Sequence, residues 1–353
     1  MPSKIKKPTS RRTSFSRFVA LIVSVGLIAS TLGLLGAGLA IPAVGAAGAA
    51  VRALPETFNE MPAELQVPQP SEGSRMLDSE GRVLAQFFTE RRVLVTSEQI
   101  APVMKEAIIA VEDWRFMNHH GVDPDGMVRA VVNNFTGGDT QGASTITQQY
   151  VKNILMDQGI QAGDQDMIDA AQEQTVTRKL REARYAVALE TQMTKDEILT
   201  GYLNLATFGV NIYGVEAASR AYFSKSASEL NIGEAALLAG AVNSPSLYDP
   251  LVNPKESQER RDLVLYEMEE RGYITPVERY EAKSVSVEDM LNPEALVSGC
   301  STAGSAAYFC EYALAEFLDD PAFGEDRSER ERLLNTGGLT IRTTLQQSKQ
   351  VAA

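Results

Sequence analysis

The residues with the means to do chemistry begin at Glu112. Glu112 and Asp113 are adjacent carboxylates closing an apolar run of Ala107, Ile108, Ile109, Ala110 and Val111. Trp114, Arg115, Phe116, Met117, Asn118, His119, His120 and Gly121 follow, and these are the only histidines and the only tryptophan in the chain. A carboxylate at the margin of an apolar surface loses hydration, which penalises its charged form and lifts its pKa. A general base or acid working near neutral pH needs that lift. The plainer reading of the same pair is a helix end with two solvated acids.

A second cluster has the opposite sign. Thr145, Gln149 and Lys152 recur at i, i+4 and i+7, so on a helix a hydroxyl, an amide and an ammonium share one face. Such a face suits phosphate oxygens, with Lys as a point charge; a solvated polar face is the competing reading. Gly142, Ala143 and Ser144 lead into it, a turn that brings backbone N–H groups towards a ligand. Arg178, Lys179 and Glu182 form a third group. Arg178 and Glu182 are spaced for a helical ion pair, which on an exposed surface contributes only about 0.2–0.5 kcal/mol.

The three groups read Glu-Asp-x-x-Phe-x-x-His-x-Gly, Gly-x-Ser-Thr-x-Thr-Gln-Gln and Arg-Lys-x-x-Glu, in that order. Tyr202-Leu203-Asn204, Gly209, Gly214, Ala217-Ala218 and Tyr222-Phe223-Ser224-Lys225 come after them. The series resembles the peptidoglycan glycosyltransferases of glycosyltransferase family 51, the N-terminal half of bifunctional class A penicillin-binding proteins. The resemblance covers roughly residues 75–275. It implies a mainly α fold: a lysozyme-like glycosyltransferase domain with a smaller membrane-proximal lobe. It also implies a hexosyltransferase that polymerises lipid II into β-1,4-linked glycan, inverting the MurNAc anomeric carbon and releasing undecaprenyl pyrophosphate.

Under that resemblance Glu112 is the catalytic base and Glu182 the second carboxylate, assisting at C1 or through a divalent ion such as Mg²⁺. Asp113, Arg115, Phe116, His119, Ser144, Thr145, Gln149, Lys152, Arg178 and Lys179 make up the implied substrate-binding set. Asp113 is equally readable as a cap or ion-pair partner, and His119 as a residue orienting its loop. The family pattern has a second Gly where this chain has Ala143, and Ala lacks glycine's freedom at positive φ. Implied partners are lipid II, the growing glycan strand, the membrane, and proteins of cell-wall synthesis or division. The rival readings are a lysozyme-like muramidase and a silent lipid II-binding membrane protein. Lys152 and Arg178 discriminate, because hydrolysis needs paired carboxylates but no diphosphate clamp.

The bulk properties set bounds. The chain has 353 residues and a net charge of −13, which argues against a nucleic-acid partner. Residues 1–17 carry Lys4, Lys6, Lys7, Arg11, Arg12 and Arg17 and no acid, a basic cytoplasmic tail by the positive-inside rule. Residues 18–50 are uncharged and apolar, long enough for a single membrane anchor; a cleaved signal peptide is the other reading. Either way the catalytic domain is expected outside the cytoplasm. Residues 51–74 have the Pro-rich composition of a linker, 75–285 are the expected glycosyltransferase domain, and 286–353 a connecting segment. No Lys-Thr-Gly occurs, and no Ser-x-x-Lys beyond the basic tail, so no transpeptidase domain is expected within this chain. Cys300 and Cys310 read as a local disulfide pinning a surface excursion in an exported protein, and no metal set is expected from them.

Periodicity supplies the supports. A hairpin is expected within 75–95, then helices over 102–113, 127–135, 145–155, 178–191, 195–202, 229–241 and 256–271, and a strand within 337–345. Residues 157–175 read as a loop with room for a helical piece, and 320–335 as a charged exposed stretch. Met127, Val128, Val131, Val132 and Phe135 suit a membrane-dipping flap or an ordinary core face.

Overall fold

The computed structural model describes residues 64–127, 129, 144–294 and 297–352. The basic tail, the anchor, most of the linker and the flap residues Val128, Val131, Val132 and Phe135 lie outside the described residues. So does the 127–135 helix, apart from residues 127 and 129. Among the described residues no helix is long and apolar enough to cross a membrane.

The described chain is mostly helical. It opens with β1 (Ser74–Leu77) and β2 (Val83–Phe87) and continues through α1 (Pro102–Glu112), α2 (Ile146–Ala162), α3 (Gln165–Gln172), α4 (Val176–Leu189) and α5 (Lys195–Leu205). A short ribbon of β3 (Thr207–Gly209) and β4 (Ile212–Tyr213) leads to α6 (Val215–Phe223), α7 (Ile232–Ala241), α8 (Pro254–Glu270), α9 (Pro276–Ser284) and α10 (Val287–Met290). The last elements are α11 (Ala307–Asp319), α12 (Arg327–Thr336), β5 (Thr340–Arg342) and α13 (Gln347–Ala352).

Helix α7 is apolar but for Glu234 in its first turn and is buried from Gly233 to Ala241, as a central helix must be. Helices α1 and α8 pack on it, and α1 also packs on α8. Helix α1 starts on Pro102, where a missing N–H costs nothing, and buries Met104, Ala107, Ile108, Ile109 and Ala110. Helix α2 packs on α3, α4 and α5. Reciprocal capping boxes start α2 at Thr145, α5 at Thr194 and α7 at Asn231, satisfying donors that a helix start leaves free.

Two stretches hold more helix than the sequence reading gave them. The expected loop at 157–175 is helical: α2 runs on to Ala162, ends on Gly163 at φ +67°, and α3 folds back against it. The fold-back needs Gly159, where a Cβ would stand 2.8 Å from Ile168. Asp157 looks like a loop residue, but it is buried and ion-paired to Arg92 at 2.6 Å. The charged stretch at 320–335 also contains a helix, α12.

A second core joins distant parts of the chain. Met76, Leu84, Ala85 and Phe87 of the hairpin pack with Cys300, Ala303, Ala306, Cys310, Phe317, Leu318, Leu334 and Leu345. β5 completes the sheet in parallel with β1, pairing Arg75 with Thr340, Met76 with Ile341 and Leu77 with Arg342. The hairpin, read from sequence as the beginning of the catalytic domain, thus shares its core with the segment after residue 297. Cys300 and Cys310 are disulfide-bonded. The bridge does not pin a surface excursion, because both cysteines are buried in this second core.

Candidate active site

Glu112 is the last residue of α1, where the helix dipole presents its negative end and disfavours another negative charge. Burial pushes its pKa up further, and the neighbouring Asp113 charge adds to the rise. Two groups oppose this: a hydrogen bond from Gln149 and the charge of Arg260. Gln149 Nε2 donates to Glu112 Oε2 at 2.8 Å, and Gln149 Oε1 accepts from the Tyr202 hydroxyl at 3.2 Å. Tyr202 is fully buried, and burial holds its hydroxyl protonated to well above the usual range. Glu112 is therefore a carboxylate with an elevated pKa and one oxygen fixed by a buried amide–phenol chain.

Asp113 turns the other way. Its Oδ2 accepts from the Ile146 backbone N–H at 3.0 Å and lies 2.8 Å from His119 Nε2. It thereby caps α2 alongside Thr145, whose hydroxyl accepts from Gln148 N–H and donates to the Gly121 carbonyl at 2.6 Å. His119 is buried, with Nδ1 3.9 Å from Glu190 Oε1. Glu190 in turn accepts from Thr147 Oγ1 at 2.6 Å and pairs with Lys195 at 2.7 Å. Phe116 is fully buried under the Lys195 ammonium, 4.4 Å from its ring centroid. Asp113, Phe116, His119 and Thr145, all in the substrate-binding set that the resemblance implies, form a buried joint that holds the start of α2 against the end of α1. Arg115 is also committed, pairing with Asp125 at 2.9 Å and Asp123 at 3.6 Å.

The cationic residues converge. Lys152 stands one helical turn beyond Gln149 on α2, so their Cβ atoms are roughly 5–6 Å apart. Burial lowers the Lys152 pKa; the Glu182 charge raises it, and Arg178 and Lys179 lower it again. Glu182 on α4 is buried and binds both cations of its own helix: Arg178 Nη1 pairs with Oε1, and Lys179 Nζ lies 3.1 Å from Oε2. Lys179 also donates to Ser144 Oγ at 2.9 Å. Arg178 is fixed at the start of α4, where Thr175 accepts from its backbone N–H and its Nε donates to the Glu173 carbonyl. Helix α2 thus links the two carboxylates, touching Glu112 through Gln149 and sensing Glu182 through Lys152.

Glu182 does not fit a protein-held divalent cation, since both of its oxygens already face cationic side chains. Among the described residues no group of three His, Cys, Asp or Glu is arranged to hold a metal ion. A cavity of about 220 Å³ lies elsewhere, beside β2 and lined in part by Arg91, Glu294 and Thr302. It shares no residue with the cluster around Glu112 and Glu182.

Sequence reasoning missed Arg260, Tyr248 and Glu190. Arg260 sits within a helix of ordinary periodicity, Glu190 just past the end of α4 and Tyr248 in a loop; only their distant neighbours give them meaning. Tyr202 belonged to the recognised series, but its link to Gln149 depends on how α5 packs on α2.

The family model described as Transglycosylase matches residues 80–269. Penicillin-binding protein 1A of Escherichia coli K12 is 35% identical over 301 residues, covering 85% of this chain and 31% of the relative. Penicillin-binding protein 1F of Bacillus subtilis 168 is 38% identical over 211 residues, covering 60% of this chain and 28% of the relative. Penicillin-binding protein 1A of Haemophilus influenzae, a crystal structure, aligns with a TM-score of 0.42 at 20% identity over 81% of this chain and 29% of that one. The chain therefore spans about a third of the length of the curated relatives it matches. Because residues 80–269 are more than half of its 353, the chain belongs to the transglycosylase family.

Proposed function

We propose that the protein is a peptidoglycan glycosyltransferase that joins lipid II units into a β-1,4 glycan. One observation carries this reading: α2 sets a carboxylate of elevated pKa within one turn of a half-buried lysine that faces the Arg178–Lys179–Glu182 group. Glu112 takes the proton from the 4-hydroxyl of the acceptor GlcNAc. The oxygen so activated attacks C1 of the donor MurNAc from the side opposite its diphosphate. The C1–O bond to the diphosphate breaks, its electron pair leaves with undecaprenyl diphosphate, and the configuration at C1 inverts. Glu112 then gives its proton to water.

The leaving diphosphate gathers negative charge as the bond breaks. Lys152, Lys179 and Arg178 supply fixed positive charge there without a proton donor, which is electrostatic stabilisation of the transition state. Glu182 keeps Arg178 and Lys179 in place and is a positioning group in this reading. Any divalent cation is proposed to arrive on the substrate's diphosphate, not on Glu182. The lysozyme-like lobe, the uncleaved single-pass anchor over 18–50 with a cytoplasmic N-terminus, and cell-wall synthesis or division partners belong to the same proposal. Supporting it are the apolar run itself and the family membership. The test is to incubate the detergent-solubilised protein with labelled lipid II and resolve the products. Polymer is expected from the wild type and none from Glu112→Gln, with both equally folded. Unimpaired polymer from the variant would remove Glu112 as the base, and cleavage of preformed glycan strands with no polymer made from lipid II would make the protein a muramidase.

A further inference from the structure

Arg260 has no part in the reaction as derived above, yet it is the one cation from α8 whose charge acts on Glu112. It stands on the helix that packs against α1. Its guanidinium lies over the Tyr248 ring, 5.7 Å from the centroid. Its stem crosses α7 at Gly240, where an added Cβ would come within 2.9 Å of Arg260 Cγ. The side chain is thus guided on both sides, by an aromatic ring and by a missing methyl group.

What it is guided towards is not a protein acceptor. Among the described residues Arg260 has no ion-pair partner, and its buried Nε has no hydrogen-bond partner. A guanidinium offers five donors in one rigid plane, and leaving them idle beside a buried carboxylate is costly unless something else occupies them. The Glu112 and Arg260 charges sense one another, but no ion pair closes the space between them. Glu112 is thus a proton acceptor within the field of the Arg260 guanidinium, whose buried Nε no described protein group takes up.

In-line displacement decides which substrate belongs there. The attacking hydroxyl must approach C1 opposite the diphosphate. The diphosphate is allotted to cations on α2 and α4, while Arg260 reaches Glu112 from α8, a different support. We propose that Arg260 is an acceptor-binding residue, its guanidinium donating to oxygens of the terminal hexosamine so that the 4-hydroxyl is held against Glu112. The proposal rests on the reading of Glu112 as base. A sugar ring oxygen, hydroxyl or N-acetyl carbonyl is a suitable partner, and Tyr248 fixes the plane in which the donors are offered.

The experiment uses the full chain in detergent with two substrates made distinct. The donor is a lipid-diphosphate disaccharide whose terminal 4-hydroxyl is capped, so it cannot accept; the acceptor is a lipid II C-glycoside, whose diphosphate cannot leave, so it cannot donate; KM is measured for each. Arg260→Ala is expected to raise the acceptor KM about 10-fold or more, the effect of losing one good hydrogen bond to bound substrate, with donor KM within about twofold. Arg260→Lys should recover part of the loss, and Gly240→Ala should give an intermediate value by displacing the stem. Equal rises in both KM values, unchanged kinetics, or a loss that merely follows the folded fraction would overturn the assignment. Should Arg260→Ala fail to fold, Arg260→Lys and Tyr248→Leu decide by the same KM comparison. The two readings fail separately. An active Glu112→Gln removes the base, whereas an inactive Glu112→Gln beside an unaltered Arg260→Ala removes only the acceptor contact.

Discussion

Glu112 and Glu182 are the same side chain in opposite circumstances. Glu112 has one neutral hydrogen-bond donor, a like charge next door and a cation held off at a distance. Glu182 is buried with Arg178 and Lys179 directly on its two oxygens. The first carboxylate is left with a proton affinity it can use; the second has spent its charge on holding two cations still. One supplies reactivity and the other supplies order, and burial alone does not distinguish them. The partners do.

The contrast breaks most visibly at Glu112→Gln. General-base assistance accounts for about 10²–10⁴-fold of rate, so polymerisation should fall by that factor while the denaturation midpoint stays put. Glu182→Gln should lower the denaturation midpoint as well as the rate. Removing one partner of a buried ion pair costs roughly 3–5 kcal/mol, and about 2–3 kcal/mol is expected here because Lys179 reaches solvent. Urea unfolding reads that loss; a variant as stable as wild type would show that Glu182 does not hold Arg178 and Lys179 in place.

A smaller effect separates the two cores. Replacing Cys300 and Cys310 by Ala opens a loop whose ends are 10 residues apart. The chain-entropy model gives about 2–3 kcal/mol for such a loop, and engineered tests often return less. The cost should fall on the second core, with polymerisation at 25 °C unaffected. Lost activity in a folded double mutant would couple the second core to the site.

The finest test is pH. Glu112 has a raised pKa and is active when deprotonated, so the rate should climb with pH through a value above the ordinary carboxylate range. Lys152 has a lowered pKa and is active when protonated, so the rate should fall again below the usual lysine range. Gln149 stabilises the charged form of Glu112, so Gln149→Leu should move the acid limb to higher pH and leave the alkaline limb in place. Movement of both limbs together would dissolve the separation between the two ends of α2.

Local spacing made much of this visible beforehand. Glu112 at a helix end, the Gln149–Lys152 face and the Arg178–Glu182 pair all depend on separations of a few residues, and all are where periodicity puts them. Orientation was not visible. Asp113 is readable either as a cap or as a reactive group, and only the docking of α2 on α1 shows its oxygen, with that of Thr145, capping the start of α2. Phe116 and His119 are hidden for the same reason, since the turn carrying them is folded under α2. Residues 157–175 read as mostly loop because they are polar and acid-rich, and nothing nearby announces that Arg92 from 65 residues earlier neutralises Asp157. The second core was least legible, because β1 and β5 pair across a separation of 265 residues and no local pattern announces a partner that far away.

That parallel pairing has a mechanical meaning. Tension entering the chain just before β1 and leaving just after β5 pulls the two neighbouring strands in opposite directions along their length. The load is then shared by all the rungs between Arg75–Thr340 and Leu77–Arg342 at once, a shearing geometry instead of an unzipping one. Traction between those two points is carried across a single seam and bypasses the helices that hold Glu112 and Lys152.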